Sequence, residues 1–265
     1  MDTRFWGPSG WKLLHTVAFS YGGSPELAAE WLATLPYILP CKYCRASLTD
    51  YYAEKPLTAG ILASREKFGR WMYDIHNCVN AKLRAQGLNP SPDPSYKAVR
   101  TFYGTWLKDG IVGCVTQTFW DFLFAVAYNH PKEASRDSTP MPNCPERCRD
   151  LAEKNRWNLM TAAERMPYYR RFWELVPAVL PVFTWMEAPQ LSCRRSTVAW
   201  LWRQRCRLQP GAHDPYRAVC SRVAAFASGC GASRQGKTCR AYGSKAANGR
   251  KASAKTRKVK KPRSK

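Results

Sequence analysis

The sequence predicts an all-α protein, on three observations. Apolar residues recur at three- and four-residue spacings through most of the chain. No alternating run bounded by hairpin-turn signals interrupts that pattern. Hydrophobic residues make up 45% of the 265 positions and aromatic residues 13%, enough for a packed core over most of the length.

The elements follow in order. "GWKLLHTVAFSYG" places Trp11, Leu14, His15, Ala18 and Phe19 on one helical face. "SPELAAEWLATLPYIL" opens with Ser-Pro-Glu, a composition suited to a helix start, and continues apolar at helical spacing. "SREKFGRWMYDIHNCVNAKLRAQG" begins at a Ser cap and ends at Gly87, with Phe68, Trp71, Met72, Ile75, Val79 and Leu83 as its stripe. "NPSPDPS" is a loop, and "YKAVRTFYGTWL" resumes a helix. Together these form a small helical bundle over residues 1–105.

The second half, 106–230, echoes the first. "WDFLFAVAYNHP" overlays "WKLLHTVAFSYG", "FWELVPAVLP" resembles "EWLATLPYILP", "WLWRQRCRLQ" matches "WMYDIHNCVN", and "DPYRAVC" matches "PSYKAVR". Four echoes in one order read as a diverged internal duplication. The second copy has lost polar residues of the first: Phe124 replaces His15, Arg205 replaces His76, and Val182 to Trp185 stand in place of Cys41 to Cys44.

Net charge is +23, and the last 35 residues hold 13 Lys or Arg with no Asp or Glu. Residues 231–265 are too poor in large apolar side chains to fold on themselves and read as a disordered basic tail. Such a tail is a solvated charge run, a contact for nucleic acid or another polyanion, or a nuclear import signal in "RKVKKPRSK". Residues 1–20 lack a basic stretch followed by an apolar one, so no secretion leader is expected. "LVPAVLPVF" falls short of the roughly 18 apolar residues of a membrane span. Eleven cysteines without a secretion signal point to catalysis or metal binding before structural disulfides.

Chemistry concentrates in the first half. Trp11 and His15 are four apart, as are His76 and Asn80, so two helices each present a polar or aromatic pair from an apolar stripe. Apolar walls with a few placed polar groups suit an aromatic cofactor. Cys41 and Cys44 in "LPCKYC" could be zinc ligands, a thioredoxin-like pair or another redox disulfide. A zinc site would need a second pair, and Cys144 with Cys148 lies in the other half at i, i+4 spacing. No metal is expected. A thioredoxin-like pair needs a βαβ frame that this helical context lacks.

"WGPSGWKLLHT", "LPCKYC" and "HNCVNAKL", in that order and spacing, resemble the Erv/ALR family of FAD-linked sulfhydryl oxidases. The resemblance covers residues 1 to about 103. It implies a four-helix bundle with FAD beside the Cys41–Cys44 disulfide. In it His15, His76, Asn77, Val79 and Asn80 hold the adenosine part, Trp11 and Tyr21 line the flavin pocket, and Gly7 sits at an N-terminal turn. Lys82, Leu83 and Tyr96 are further carry-overs. Pro8 stands where many cellular members have Arg, and a second stapling cysteine pair has no counterpart at residues 85–105. The "WGP" opening looks most like the family members of large DNA viruses. That implies virion proteins as substrates, in the host cytoplasm at a viral factory, with the virion itself as another location.

By this resemblance Cys41 is the outer sulfur attacked by a substrate thiolate, and Cys44 passes the electron pair to FAD, with O2 as acceptor and H2O2 as product. Shuttle candidates are Cys144 with Cys148 and Cys230 with Cys239. Cys78 is a packed small residue. Family modules pair as dimers, so either a homodimer or an intramolecular pseudo-dimer with the second half is expected. The rival reading is a non-enzymatic basic scaffold that binds nucleic acid and whose cysteines are structural or zinc-bound.

Overall fold

The computed structural model describes residues 1–21, 23–88, 91–108, 119–131, 140–180, 183, 189, 191–211 and 214–227. Cys114, Cys230, Cys239 and the basic tail lie outside these residues, and so do the expectations placed on them. Among the described residues all regular structure is helical. The helices are α1 (Thr3–Ser20), α2 (Pro25–Ile38), α3 (Lys42–Glu54), α4 (Ala59–Leu62), α5 (Arg65–Ala85), α6 (Tyr96–Trp106), α7 (Trp120–Tyr128), α8 (Leu151–Arg156), α9 (Ala162–Val179), α10 (Arg194–Leu208) and α11 (Tyr216–Ala225). None is long and apolar enough to cross a membrane.

Local chemistry sets the helix starts. Asp2 caps α1 by accepting from the Arg4 N–H, so this helix begins well before the apolar face that opens at Trp11. Pro8 lies inside it, where its missing N–H removes one bond near the helix start and no more. Ser24 caps α2, with Pro25 in the first turn as the sequence predicts. Ser64 and Ser95 cap α5 and α6. Past α5, Gly87 adopts φ +68°, a backbone conformation that ends the helix and favours glycine. Cys41 is the N-cap of α3, in extended conformation, so Cys44 lies in the first turn of that helix.

α1 packs on α5 and α6, α2 on α3, and α3 on α5. In the second half α7 packs on α10 and α11. The halves meet where α1 packs on α7 and α2 on α9, and where the short α8 packs on α3. One hydrophobic core runs through both halves. Trp31 stacks on Phe172 at 5.6 Å between α2 and α9, and Trp6 meets Phe122 at 6.0 Å between α1 and α7. Trp31, Trp120, Trp173 and Trp200 are all fully buried, so at least four indoles serve as core rather than as a ligand platform.

Candidate active site

α1, α3 and α5 enclose a cavity of about 560 Å3. Gly7 and Trp11 reach it from α1, Cys44 from α3, and His76, Val79, Asn80, Lys82 and Leu83 from α5. Trp11 stacks on His76 with ring centroids 3.9 Å apart and planes 12° from parallel. His15 stands behind them, 3% exposed, with Nε2 2.9 Å from His76 Nδ1. One nitrogen of that contact carries the proton and the other accepts it. Burial lowers the His15 pKa to about 3, helped by the neighbouring His76. Burial lowers His76 to about 4, opposed by the charge of Asp93. Both rings are therefore neutral at pH 7. His15 Nδ1 is buried without a hydrogen-bond partner.

Polar contacts fix the frame around this cluster. Asn80 Nδ2 donates to Asp93 Oδ1 at 2.8 Å, and Arg84 holds the same carboxylate through two bonds of 2.8 and 2.7 Å. The Arg84 guanidinium holds Asp93 below the usual carboxylate range. Lys82 is 2% exposed, and its Nζ donates to Ser47 Oγ at 2.7 Å and to Tyr43 O at 3.3 Å. It thereby ties α5 to α3 one turn past Cys44.

The two cysteines are unequal. Cys44 is half-buried on the cavity wall, whereas Cys41 is 1% exposed and part of the core. Cys41, the sulfur expected to meet the substrate, is therefore covered in this structure. As N-cap its side chain turns into the same buried face as Arg45, four residues on. Arg45, itself 1% exposed, donates from Nη1 to Leu39 O at 2.9 Å, directly under the turn that leads into Cys41. Its Nη2 donates to Asn158 Oδ1 at 2.7 Å, so a residue of the second half braces the start of α3. Asn155 adds bonds of 2.8 Å to Pro36 O and 3.0 Å to Thr49 Oγ1.

Other sequence candidates lie elsewhere. Tyr21 lines a different cavity, of about 740 Å3, with Phe19, Arg65, Glu66 and Arg100. The Tyr96 hydroxyl donates to Glu66 O at 3.1 Å and its ring meets Tyr73 edge-on at 5.4 Å. Asn77 is half-buried and lines neither cavity. Tyr103 and Phe122 are among the cavity residues that sequence reasoning missed. Tyr103 lies two turns along α6 from Tyr96, and its ring packs on His15 at 5.1 Å. Helical spacing from Tyr96 could have found it. Phe122 comes from the second half, and no local signal marks it. Just before α8 the Cys144 thiol donates to Pro145 O at 3.4 Å, and burial together with Cys144 pushes the Cys148 thiol up. Among the described residues no group of three or more His, Cys, Asp or Glu is arranged to hold a metal.

Comparison with known proteins adds the following. The profile of the Erv1 / Alr family matches residues 8–99. A probable FAD-linked sulfhydryl oxidase of Acanthamoeba polyphaga mimivirus is 36% identical over 85 residues, 30% of this chain and 59% of its own. The mitochondrial FAD-linked sulfhydryl oxidase of Saccharomyces cerevisiae is 39% identical over 88 residues, 31% of this chain and 45% of its own. A putative FAD-linked sulfhydryl oxidase of invertebrate iridescent virus 6 is 32% identical over 92 residues, 31% of this chain and 83% of its own. The match thus spans about half the length of the first two relatives, 59% of one and 45% of the other. No solved structure gives a significant match.

Proposed function

Because this chain belongs to the Erv1/Alr family, we propose that it is a FAD-linked thiol oxidase that works through Cys41 and Cys44. The observation that carries the reading is that Cys44 shares one cavity of about 560 Å3 with the stacked Trp11 and His76. That volume lies within the range of cofactor sites. The buried, unpartnered His15 Nδ1 and the aromatic wall suit a planar, hydrogen-bonding group. FAD would be held by Trp11, His15, His76, Val79, Asn80, Lys82 and Leu83. When bound, it supplies two-electron redox chemistry between the thiol pair and O2, with H2O2 as product.

The chain's own residues do the rest. A substrate thiolate attacks the Cys41–Cys44 disulfide, forms a mixed disulfide and releases one sulfur as thiolate. A second substrate thiol then displaces the protein sulfur, which leaves the substrate oxidised and the pair reduced. Cys44, on the cavity wall, is the sulfur that hands the electrons on. Its place in the first turn of α3, at the positive end of the helix dipole, favours negative charge there. Cys41 is left for the substrate, and its burial means that exchange waits on local opening of the turn at residues 39–41. The neutral His15–His76 pair adds no positive charge of its own beside the cavity at pH 7.

The substrates are cysteine-bearing proteins. Relatives in several DNA viruses support action in an infected cell, on virion proteins. Cys144 and Cys148, adjacent to each other and close to a helix docked on α3, support a relay role for that pair. The pairing of α1 with α7 and α2 with α9 supports residues 106–230 as a degenerate copy that covers the catalytic half within one chain. Arg205 lies over the Trp120 ring at 5.9 Å, where the first copy stacks His76 on Trp11.

The visible spectrum and oxygen consumption with a dithiol substrate test the reading. Wild type should be yellow and active, and Cys44→Ala yellow and inactive. A colourless protein that stays inert after incubation with FAD would overturn it.

A further inference from the structure

Each half carries a second cavity at the same point of its frame. In the first half, a cavity of about 740 Å3 lies where the end of α1 and the start of α2 meet the start of α5 and the middle of α6. In the second, a cavity of about 950 Å3 lies where the end of α7 and the start of α9 meet the start of α10 and the middle of α11. The frames agree, but the side chains do not. α5 starts on Ser64, whose hydroxyl caps the Lys67 N–H, while α10 starts on Cys193, whose Sγ takes that place toward the Ser196 N–H at 3.5 Å. Across the first cavity Glu66 and Arg100 form an ion pair of 3.2 Å. Counted from the two caps and from Tyr96 and Tyr216, which open α6 and α11, their counterparts are Arg195 and Cys220.

A capping hydroxyl has thus become a thiol, and an ion pair has become an arginine with a second thiol. Neither exchange improves packing or capping. Ser, Thr, Asn and Asp are the preferred N-caps, and a free exposed thiol adds no stability. Cys193 is exposed and Cys220 half-buried, both on the wall of one cavity. Tyr216 lies on the same wall, where burial first and then Cys220 and Cys193 hold its hydroxyl pKa above the usual value. Among the described residues the same wall carries Arg194 and Arg195 and no Asp or Glu. Arg194 lies over the Tyr128 ring at 4.4 Å, and its Nε is buried without a hydrogen-bond partner.

We propose that Cys193 and Cys220 form a second thiol–disulfide exchange site, and that it takes the disulfide of a small, carboxylate-bearing thiol. The two arginines receive the carboxylates, and Tyr128, Met166 and Val198 supply an apolar floor. Hydrogen bonding with the Ser196 side chain and from its backbone N–H holds the Cys193 thiol below its usual value, in keeping with a nucleophile at a helix start. Cys193 Sγ attacks one sulfur of the bound disulfide. The S–S bond breaks, one thiolate leaves, and the other half stays as a mixed disulfide on Cys193. Cys220 then attacks Cys193 Sγ, forms the Cys193–Cys220 bond and expels the second thiolate. The protein pair gives up two electrons, and the small disulfide takes them up. The two thiol protons pass to the released thiolates.

The test uses the full chain, reduced beforehand and handled without oxygen, so that oxidation through Cys41 and Cys44 does not contribute. It is incubated with glutathione disulfide or with cystamine, a cationic disulfide, and each cysteine is followed by peptide mass. Wild type should form the Cys193–Cys220 bond and retain no glutathione. Cys220→Ser should trap glutathione on Cys193, and Cys193→Ser, which restores the cap found at Ser64, should leave Cys220 unmodified. Glutathione disulfide should modify Cys193 roughly tenfold faster than cystamine, and Arg194→Gln with Arg195→Gln should remove that preference. Equal rates for the two disulfides, or modification of Cys193 no faster than of Cys206, would overturn the proposal. These readouts do not involve flavin, so they stand apart from the oxidase reading.

Discussion

Replacing Asn158 with glycine removes one oxygen from between two buried guanidiniums. Asn158 Oδ1 accepts from Arg45 Nη2 at 2.7 Å and from Arg165 Nη2 at 3.1 Å. Arg45, Arg165 and Asn158 are 1%, 4% and 1% exposed, so water has little access to either bond. Asn158 sits at φ +59°, which glycine adopts without strain, and the substitution therefore reports on the side chain. Hydrogen bonds to charged groups contribute about 1.5–3 kcal/mol each, so the loss should be about 3–6 kcal/mol. Urea unfolding measures it, as a lower midpoint at unchanged slope. In an Arg45→Met background only the Arg165 bond remains to be lost, and the same substitution should cost about 1.5–3 kcal/mol. A cost below about 1 kcal/mol, or equal costs in both backgrounds, would refute the view that the Asn158 carbonyl stands in for water on two buried cations.

Acid should weaken the fold through the histidine pair. His15 and His76 titrate at about 3 and about 4 when folded, against about 6.5 when unfolded. The unfolded chain binds these protons first as pH falls, so their contribution is intact above pH of about 6.5 and is lost toward pH 4. Each histidine gives a slope of about 1.4 kcal/mol per pH unit. Urea midpoints across that range check this, and His15→Phe, which copies Phe124, should remove roughly half of the slope. Gly69→Ala would place a Cβ 2.9 Å from Phe19 Cε1, between α5 and α1. Overpacking of about 1–3 kcal/mol should outweigh the gain of about 1 kcal/mol in helix propensity, so the variant should unfold at lower urea. A more stable variant would show that the Phe19 ring moves aside freely.

Much of the first half was legible because its signals are local. The caps at Ser24, Ser64 and Ser95, the Trp11/His15 and His76/Asn80 spacings and the position of Cys41 at a helix start all lie within a few residues of one another. The start of α1 was missed because Asp2 acts before any apolar period begins. The resemblance points to Tyr96, whereas Tyr103, two turns on, lines the cavity. The stripe fixes which face of α6 is buried, and not how far along the helix the cavity reaches.

By itself, the sequence determined the helical class and part of the residue set around the candidate cavity. Cys44, Trp11, His76, Val79, Asn80, Lys82 and Leu83 do meet around one cavity. Helical period and cap chemistry act over one or two turns, and a linear pattern records them. Tertiary structure decided what depends on contacts between distant segments. It buried Cys41 and left Cys44 on the wall, brought Phe122 into the cavity from the second half, and set Asn158 against Arg45 across 113 residues. The docking of one half on the other makes these contacts, and complementary shape and paired buried charge do not repeat along the chain with any period.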